Sequence, residues 1–366
     1  MITPRDRYNA DLARPDFVHD PAQEQTVERL QWLYHELINV SEPPFKWTSR
    51  LWAKIRGPQV TSIKGLYLWG GVGRGKTYLV DVFYQCLPFE RKQRIHFHRF
   101  MRAVHIELKS LPRDQDPLAT VAARMSQTTR IICLDEFYVS DIGDAMILYG
   151  LLKGLFANGV ILVATSNTEP DKLYQGGLQR DRFVPAIDLI KAHTAVVKLD
   201  GEIDHRLRRL DKANIYRSPL NDETEQNMLT AFAELATSPG TPDVKLEIDG
   251  RTIDTRLHTD GMVWIEFERI CGDGRSQNDY IELAKCFHTI FVSAIPVLGP
   301  EQDDQARRFI SLVDELYDRN VNLIVSAQTS PPKLYTGTRL AAAFERTISR
   351  LLEMQSMEYL ARRHLP

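Results

Sequence analysis

The residues Gly70-Gly71-Val72-Gly73-Arg74-Gly75-Lys76-Thr77 constrain this chain more than any other segment. They follow the apolar run Leu66-Tyr67-Leu68-Trp69 and precede Tyr78-Leu79-Val80, so a glycine-rich turn joins an expected strand, Gly65–Trp69, to an expected helix opening at Lys76. Gly70 and Gly75 let the backbone turn and approach a ligand closely. Successive N–H groups and a helix N-terminus then make a positive cradle for an anion. The full pattern in this setting is that of a P-loop that holds the phosphates of ATP. Lys76 would reach the β- and γ-phosphates, and Thr77 would ligate Mg²⁺.

A P-loop needs a second metal anchor, an acid at the end of a buried strand expected beside the first. Ile131-Ile132-Cys133-Leu134-Asp135-Glu136, an apolar run followed by two carboxylates, lies 59 residues past Lys76. Asp135 would hold Mg²⁺ and Glu136 would polarise the attacking water, because one carboxylate cannot serve both tasks. Asn167 follows the strand Val160–Thr165 and would orient that water or touch the γ-phosphate; a plain turn residue is the alternative. In Gln179-Arg180-Asp181-Arg182-Phe183, Arg182, or else Arg180, reads as an arginine finger supplied to a neighbour's nucleotide across a subunit interface. Surface salt bridges are the competing reading. Arg206, Arg208 and Arg209, like Arg346 and Arg350, read chiefly as solvated surface, with a phosphate-sensing arginine in either set as the alternative. His96 and His98 end a strand with no third ligand at metal spacing, so a structural or partner-contact role is expected. Asp303-Asp304 reads as a helix cap rather than a metal pair.

Around these residues strand and helix alternate: strands Gly65–Trp69, Arg94–His98, Arg130–Leu134, Val160–Thr165 and Ala195–Leu199, with helices Lys76–Gln85, Met101–Ser110 and Asp144–Ala157 between them. This order predicts an α/β fold with a parallel sheet flanked by helices. Before it, Asp20-Pro21 starts a helix carrying Val27, Leu30, Leu33, Tyr34 and Leu37 at helical spacing, and residues 1–19 read as irregular. The basic, aromatic stretch Phe45–Arg56 reads as packing on the core, or else as a peripheral contact with an anionic membrane. After the linker Ser238–Pro242, Val244–Ile248, Thr252–Leu257 and Met262–Glu268 read as antiparallel strands. The expected domains are an N-terminal helical extension, 1–56, the P-loop core, 57–215, and a C-terminal α/β region, 216–366.

The chain also echoes itself. At an offset of 161 residues, Leu155, Val160, Leu162, Thr168, Pro170, Lys172, Leu173, Tyr174 and Gly176 fall on identical residues, nine identities across 22 positions. The C-terminal region is thus a candidate degenerate copy of a strand–helix–strand unit. On this ungapped register Asp135 and Glu136 fall on Pro296 and Val297, which bind no metal and activate no water. A different strand order around residues 292–327 would defeat the idea.

With 46 basic and 48 acidic residues the net charge is −2, so no global basic field points to nucleic acid. No apolar run is long enough to span a bilayer. The first residues contain no apolar stretch of a secretory signal, and Cys86, Cys133, Cys271 and Cys286 include no CxxC pair. Reduced thiols in a cytoplasmic protein are expected.

The order of P-loop, LDE, TSN and QRDRF resembles an AAA+ ATPase. The longer strings LYLWGGVGRGKTYLVDVFY, RIHFHRFM, CLDEFYVSDIGDAM, LVATSNTEPDKLY, GLQRDRFVPAI, ARRFISLVDELYD and SRLLEMQSMEYL resemble the AFG-type AAA+ ATPases, which include cell-division ATPases of Gram-negative bacteria and the mitochondrial lactation-elevated proteins. The resemblance runs from about residue 20 to the end. It implies an AAA+ P-loop core, ATP and Mg²⁺ as cofactors, and an ATP-dependent homo-oligomer. It further implies a cytoplasmic protein recruited to the division site at the inner membrane, where it acts on FtsZ polymers. The family's phosphate lysine falls on Lys76, its acidic pair on Asp135 and Glu136, its sensor on Asn167, and its finger on Arg180 or Arg182. Two other readings stand beside this one: a nucleotide-gated adaptor that tethers partners without turnover, and a DNA-linked AAA+ protein.

Overall fold

Apolar runs such as Ile131–Leu134 and Ile161–Ala164 have no polar face, so both sides of each strand must be covered, as in a parallel sheet between helix layers. The computed structural model has this arrangement. It describes residues 2–365 apart from 15–16, 18, 40–62, 72, 112–115, 140, 201–213, 237–238, 249, 260, 273 and 363. The stretch Phe45–Arg56 and the cluster Arg206, Arg208 and Arg209 lie outside the described residues, as does Val72. The chain divides into two compact units, residues 1–203 and 204–366. No helix among the described residues is long and apolar enough to cross a membrane.

The first unit runs α1 (Pro4–Leu12), α2 (Pro21–Asn39), β1 (Gly65–Trp69), α3 (Lys76–Cys86), β2 (Lys92–His96), α4 (Phe97–Ser110), α5 (Pro117–Thr128), β3 (Ile131–Asp135), α6 (Ile142–Ala157), β4 (Ile161–Ser166), a 3₁₀ turn Pro170–Lys172, α7 (Arg180–His193) and β5 (Thr194–Lys198). Its five strands form one parallel sheet in the order β2-β3-β4-β1-β5, the helix-flanked parallel sheet expected. Two details differ from expectation. β4, not the acid-bearing β3, lies beside β1. All six residues of β4 are buried, so it takes the centre, while the polar Lys92-Gln93-Arg94 run puts β2 at the edge. Residues 4–12 form a helix rather than irregular chain. Thr3 and Asp6 make a reciprocal capping box and Pro4 opens the first turn, a start signal that is present in Thr-Pro-Arg-Asp but lacks an apolar stripe to support it. On α2, Val27, Leu30, Leu33, Tyr34 and Leu37 are buried together with Leu66, Leu68, Leu79 and Phe83, so the N-terminal helices belong to the core that holds the P-loop.

The second unit runs β6 (Tyr216–Arg217), α8 (Asp222–Leu235), β7 (Thr241–Pro242), β8 (Lys245–Ile248), β9 (Arg251–Asp254), β10 (Leu257–Thr259), β11 (Met262–Glu266), α9 (Phe267–Cys271), α10 (Gln277–Cys286), β12 (Thr289–Ile295), α11 (Asp303–Asp318), β13 (Asn322–Ala327), a 3₁₀ turn Pro331–Lys333, α12 (Ala341–Glu353) and α13 (Met357–Leu360). β8 and β9 form a hairpin, as expected. β11 is antiparallel to β10 but parallel to β12, so the expected run of antiparallel strands ends there.

The sheet order of this unit is β6-β13-β12-β11-β10-β7, with its first four strands parallel. Its segment β11-β12-β13-β6 repeats β2-β3-β4-β1, so the strand order that would have defeated the internal echo is not found. The helices α6 and α11, and likewise the 3₁₀ turns Pro170–Lys172 and Pro331–Lys333, are spaced by the same 161 residues. Strand pairing corrects the register at one place. Ile131 pairs with Ile161, and Thr289 pairs with Asn322, so Asp135 corresponds to Ser293 and Glu136 to Ala294, not to Pro296 and Val297. A difference of three residues in the connection after the strand shifts the ungapped match. The backbone agrees with this register. Glu136 and Ala294 have φ of 55° and 60°, and their N–H groups donate to Thr165 Oγ1 and Ser326 Oγ, each at 3.1 Å. Tyr67 and Tyr216 donate to the carbonyls of Thr168 and Thr329 at 2.9 and 2.8 Å.

Trp264 Nε1 donates to Ser293 Oγ at 2.8 Å, and both residues are buried. Trp264→Phe leaves a buried hydroxyl without this donor. We expect a loss of about 1–3 kcal/mol, read as a lower urea midpoint by circular dichroism.

Candidate nucleotide site

β1, β3 and β4 are parallel, so their C-terminal ends lie on one edge of the sheet. At the end of β1 the chain turns through residues 70–75 into α3. Gly70 has φ of 155°, and a Cβ there would lie 2.4 Å from the carbonyl oxygen of Leu199. Gly75 has φ of 86°, and a Cβ there would lie 2.5 Å from Gln23 Nε2. Gly70 therefore demands glycine for two separate reasons, conformation and backbone space, whereas at Gly75 conformation demands it and a Cβ would push on the Gln23 amide. Gln23, 2% exposed on α2, donates from Nε2 to the carbonyl of Arg74 at 3.1 Å. A helix far upstream thus braces the loop, a contact the sequence pattern did not reveal. Lys76 is buried at the start of α3, and its Nζ donates to the carbonyls of Gly70 (3.0 Å) and Gly71 (2.6 Å), folding the charge onto the loop. Thr77 is half-buried beside it.

β3 ends in Asp135, 1% exposed, and the left-handed backbone at Glu136 follows. In a regular strand adjacent side chains point to opposite faces; the left-handed residue breaks that alternation directly after the first acid. Asp135 receives two hydrogen bonds: Arg94 Nε at 2.7 Å on Oδ2, and Thr165 Oγ1 at 3.3 Å on Oδ1. Arg94 Nη1 also donates to Asp81 Oδ1 on α3 at 2.5 Å. His96 pairs with Asp135 across the β2–β3 ladder. Its Nδ1 is 3.9 Å from Glu136 Oε2, it is 6% exposed, and neither ring nitrogen is hydrogen bonded among the described residues. Sequence reading placed His96 in a structural or partner-contact role, and passed over Arg94. The signal available was the alternation of β2, in which residues 94 and 96 share a face.

Asn167 directly follows β4, the strand that lies between β1 and β3. Arg180 and Arg182 lie on the first turn of α7. Arg180 is tied to the carbonyl of Asp171 at 2.6 Å. Arg182 is exposed and its guanidinium makes no hydrogen bond or ion pair among the described residues. In the second unit Arg346 and Arg350 are bound to Asp314, and Arg350 also to Asp318; Arg346 is exposed, as the surface reading expects, whereas Arg350 is part-buried over the Tyr317 ring. Asp303 and Asp304 occupy the first turn of α11, and Asp303 accepts from Tyr335 Oη at 2.6 Å. No group of three or more His, Cys, Asp or Glu side chains suited to a metal occurs among the described residues. The hydroxyl of Thr77 and the carboxylate of Asp135 are hard oxygen donors of the kind that hold Mg²⁺ together with substrate phosphates.

A family model for AFG1-like ATPases matches residues 2–363. The chain belongs to the AFG1-like ATPases. Cell division protein ZapE of Escherichia coli (strain K12) is 48% identical over 371 residues, spanning all of this chain and 99% of that protein. Lactation elevated protein 1 homolog B of Danio rerio is 35% identical over 81% of this chain and 68% of that protein. An uncharacterized protein of Schizosaccharomyces pombe is 33% identical over 91% of this chain and 80% of its own length.

Gly75→Ala forces a side chain into a left-handed position, at a cost of about 1–2 kcal/mol, and against Gln23. The affinity for a fluorescent ATP analogue in Mg²⁺ should fall by about tenfold, since about 1.4 kcal/mol corresponds to tenfold in affinity. An unchanged titration would show that the loop accommodates a Cβ.

Proposed function

We propose that the chain binds Mg²⁺–ATP at residues 70–77 and hydrolyses it to ADP and phosphate, working as a homo-oligomer. The observation that carries this reading is the convergence of the glycine turn, the acid pair and Asn167 at one edge of a parallel sheet. Lys76 exchanges its loop carbonyls for the β- and γ-phosphates. Bound Mg²⁺ would neutralise charge on the phosphates, with Thr77 and Asp135 as its protein donors. Glu136 takes the proton of the attacking water, and Asn167 orients that water. Arg182 is the finger offered to a neighbouring copy, with Arg180 second because its guanidinium is already engaged by Asp171.

The second unit, on this reading, is a degenerate copy of the first. Its shared strand order, spacing and backbone devices support common origin. Six residues, 70–75, join β1 to α3, whereas only four, 218–221, join β6 to α8. The first turn of α8 carries Asp222, Glu223 and Glu225, which disfavours phosphate at that helix N-terminus. One nucleotide per chain follows.

Similarity across the whole length of a cell division protein supports a role in bacterial division. The family resemblance extends this to a cytoplasmic protein, recruited to the division site at the inner membrane, that uses ATP to act on FtsZ polymers. Glu136→Gln separates this from the adaptor reading. It should bind ATP, stabilise the oligomer on sizing, lose about 10²–10⁴-fold in turnover, and fail to support division. Normal division with that variant would favour the adaptor. Gel shifts with DNA across a salt series test the DNA-linked reading.

Calorimetric titration should give one nucleotide per chain, and none for Lys76→Ala. Arg182→Ala should keep binding but lose about 10³-fold or more in turnover. Mixing it with Glu136→Gln should restore part of the activity if the finger acts between copies. If Arg180→Ala loses turnover and Arg182→Ala does not, the finger moves to Arg180.

A further inference from the structure

Arg94 lies on an edge strand, yet its side chain is only 7% exposed, between Asp81 at 10% and Asp135 at 1%. Burying a guanidinium is costly unless its donors are matched. Here each carboxylate offers one oxygen to Arg94 and the other to a neutral donor. Asp135 gives Oδ2 to Arg94 Nε and receives Thr165 Oγ1 on Oδ1 at 3.3 Å; Asp81 gives Oδ1 to Arg94 Nη1 and receives Gln85 Nε2 on Oδ2 at 2.8 Å. The guanidinium thus takes the strong contact on one oxygen of Asp135 and leaves the other with a long hydroxyl contact.

The second unit shows what this scaffold requires at the same place. Arg94 pairs with Cys133 and Trp264 with Phe291, so Trp264 corresponds to Arg94 and Ser293 to Asp135. Trp264 Nε1 makes the matching hydrogen bond, at 2.8 Å, without any charge. The strand pair therefore needs a donor on β2, not a cation. The buried cation occurs in the unit that has the phosphate loop and the acids.

We propose that Arg94 is a positioning residue for Asp135. Its Nε holds Oδ2, so that Oδ1, with only the long Thr165 contact, is left for a metal that would arrive with ATP; the Nη1 contact with Asp81 secures the arginine itself. The proposal rests on the ATPase reading and deepens it. Groups that hydrogen-bond a ligating carboxylate contribute about 10–100-fold to metal affinity or activity.

The test compares the full-length parent with Arg94→Gln, Arg94→Lys and Asp81→Asn. A fluorescent ATP analogue is titrated with and without Mg²⁺, alongside kcat, KM and melting temperature. For Arg94→Gln, binding without Mg²⁺ should match the parent, and the gain in affinity from Mg²⁺ should shrink by about tenfold. Its kcat should fall by about tenfold or more, with KM within about threefold. Arg94→Lys, which keeps the charge but not the two-way fork, should lie between. Asp81→Asn should lower the melting temperature while keeping the Mg²⁺ gain.

A folded Arg94→Gln with the parent's Mg²⁺ gain and kcat would overturn the proposal. Asp81→Asn matching Arg94→Gln in the Mg²⁺ gain would also overturn it, assigning the effect to the cross-link instead. If Arg94→Gln does not fold, Arg94→Lys decides by the same criteria. A parent that binds no ATP would sink the ATPase reading itself, a result distinct from any difference among the variants.

Discussion

The turn between β1 and α3 is the constraint on which the first unit depends. Its backbone takes positive φ at Gly70, Gly73 and Gly75, it passes the carbonyl of Leu199 at a distance that leaves no room for a Cβ, and the Gln23 side chain closes on it at Gly75. A loop this tight cannot be held by its own residues, because glycine has the most conformational freedom to lose. It is held by its surroundings: the β1 strand paired on both sides by β4 and β5, and α2 set against it through Gln23. That is why the N-terminal helices belong with the core. Their apolar stripe is buried against the sheet that carries the loop.

The second constraint is the buried charge at the end of β3. Asp135 is fully enclosed with Arg94 and Asp81, and Glu136 is carried on a left-handed residue whose N–H is satisfied by Thr165. Such an arrangement is expensive in a protein interior unless every partner is present. In the second unit, equivalent strands meet with Trp264, Ser293 and Ala294 in these positions, and a neutral hydrogen bond replaces the ionic one. One scaffold thus carries two different edges. Fold alone does not imply chemistry; the residues placed at the strand ends do.

The P-loop, the acid pair and the alternation of strand and helix were legible in the chain, because each is written in local spacing. Glycines at fixed offsets imply a tight turn, an apolar run followed by acids implies a buried strand end, and a period of 3.6 marks α2. The repeat was legible as identities, but its register was not. A difference of three residues after β12 displaced the acid positions, and only strand pairing located Ser293 and Ala294. Helix α1 was missed because its capping signal has no amphipathic stripe behind it.

Sequence alone therefore determined the fold class, the glycine turn between β1 and α3 and the two acids that end β3, since these rest on contacts between near neighbours in the chain. Tertiary structure decided which strand lies beside β1, what Arg94 and His96 face, that Gln23 reaches the loop from 51 residues away, and that Arg180 is engaged while Arg182 is exposed. Those facts depend on which distant strands and helices become adjacent. Burial sets that adjacency by keeping the fully buried β3 and β4 inside the sheet and sending the polar β2 to the edge, where its arginine meets the acid.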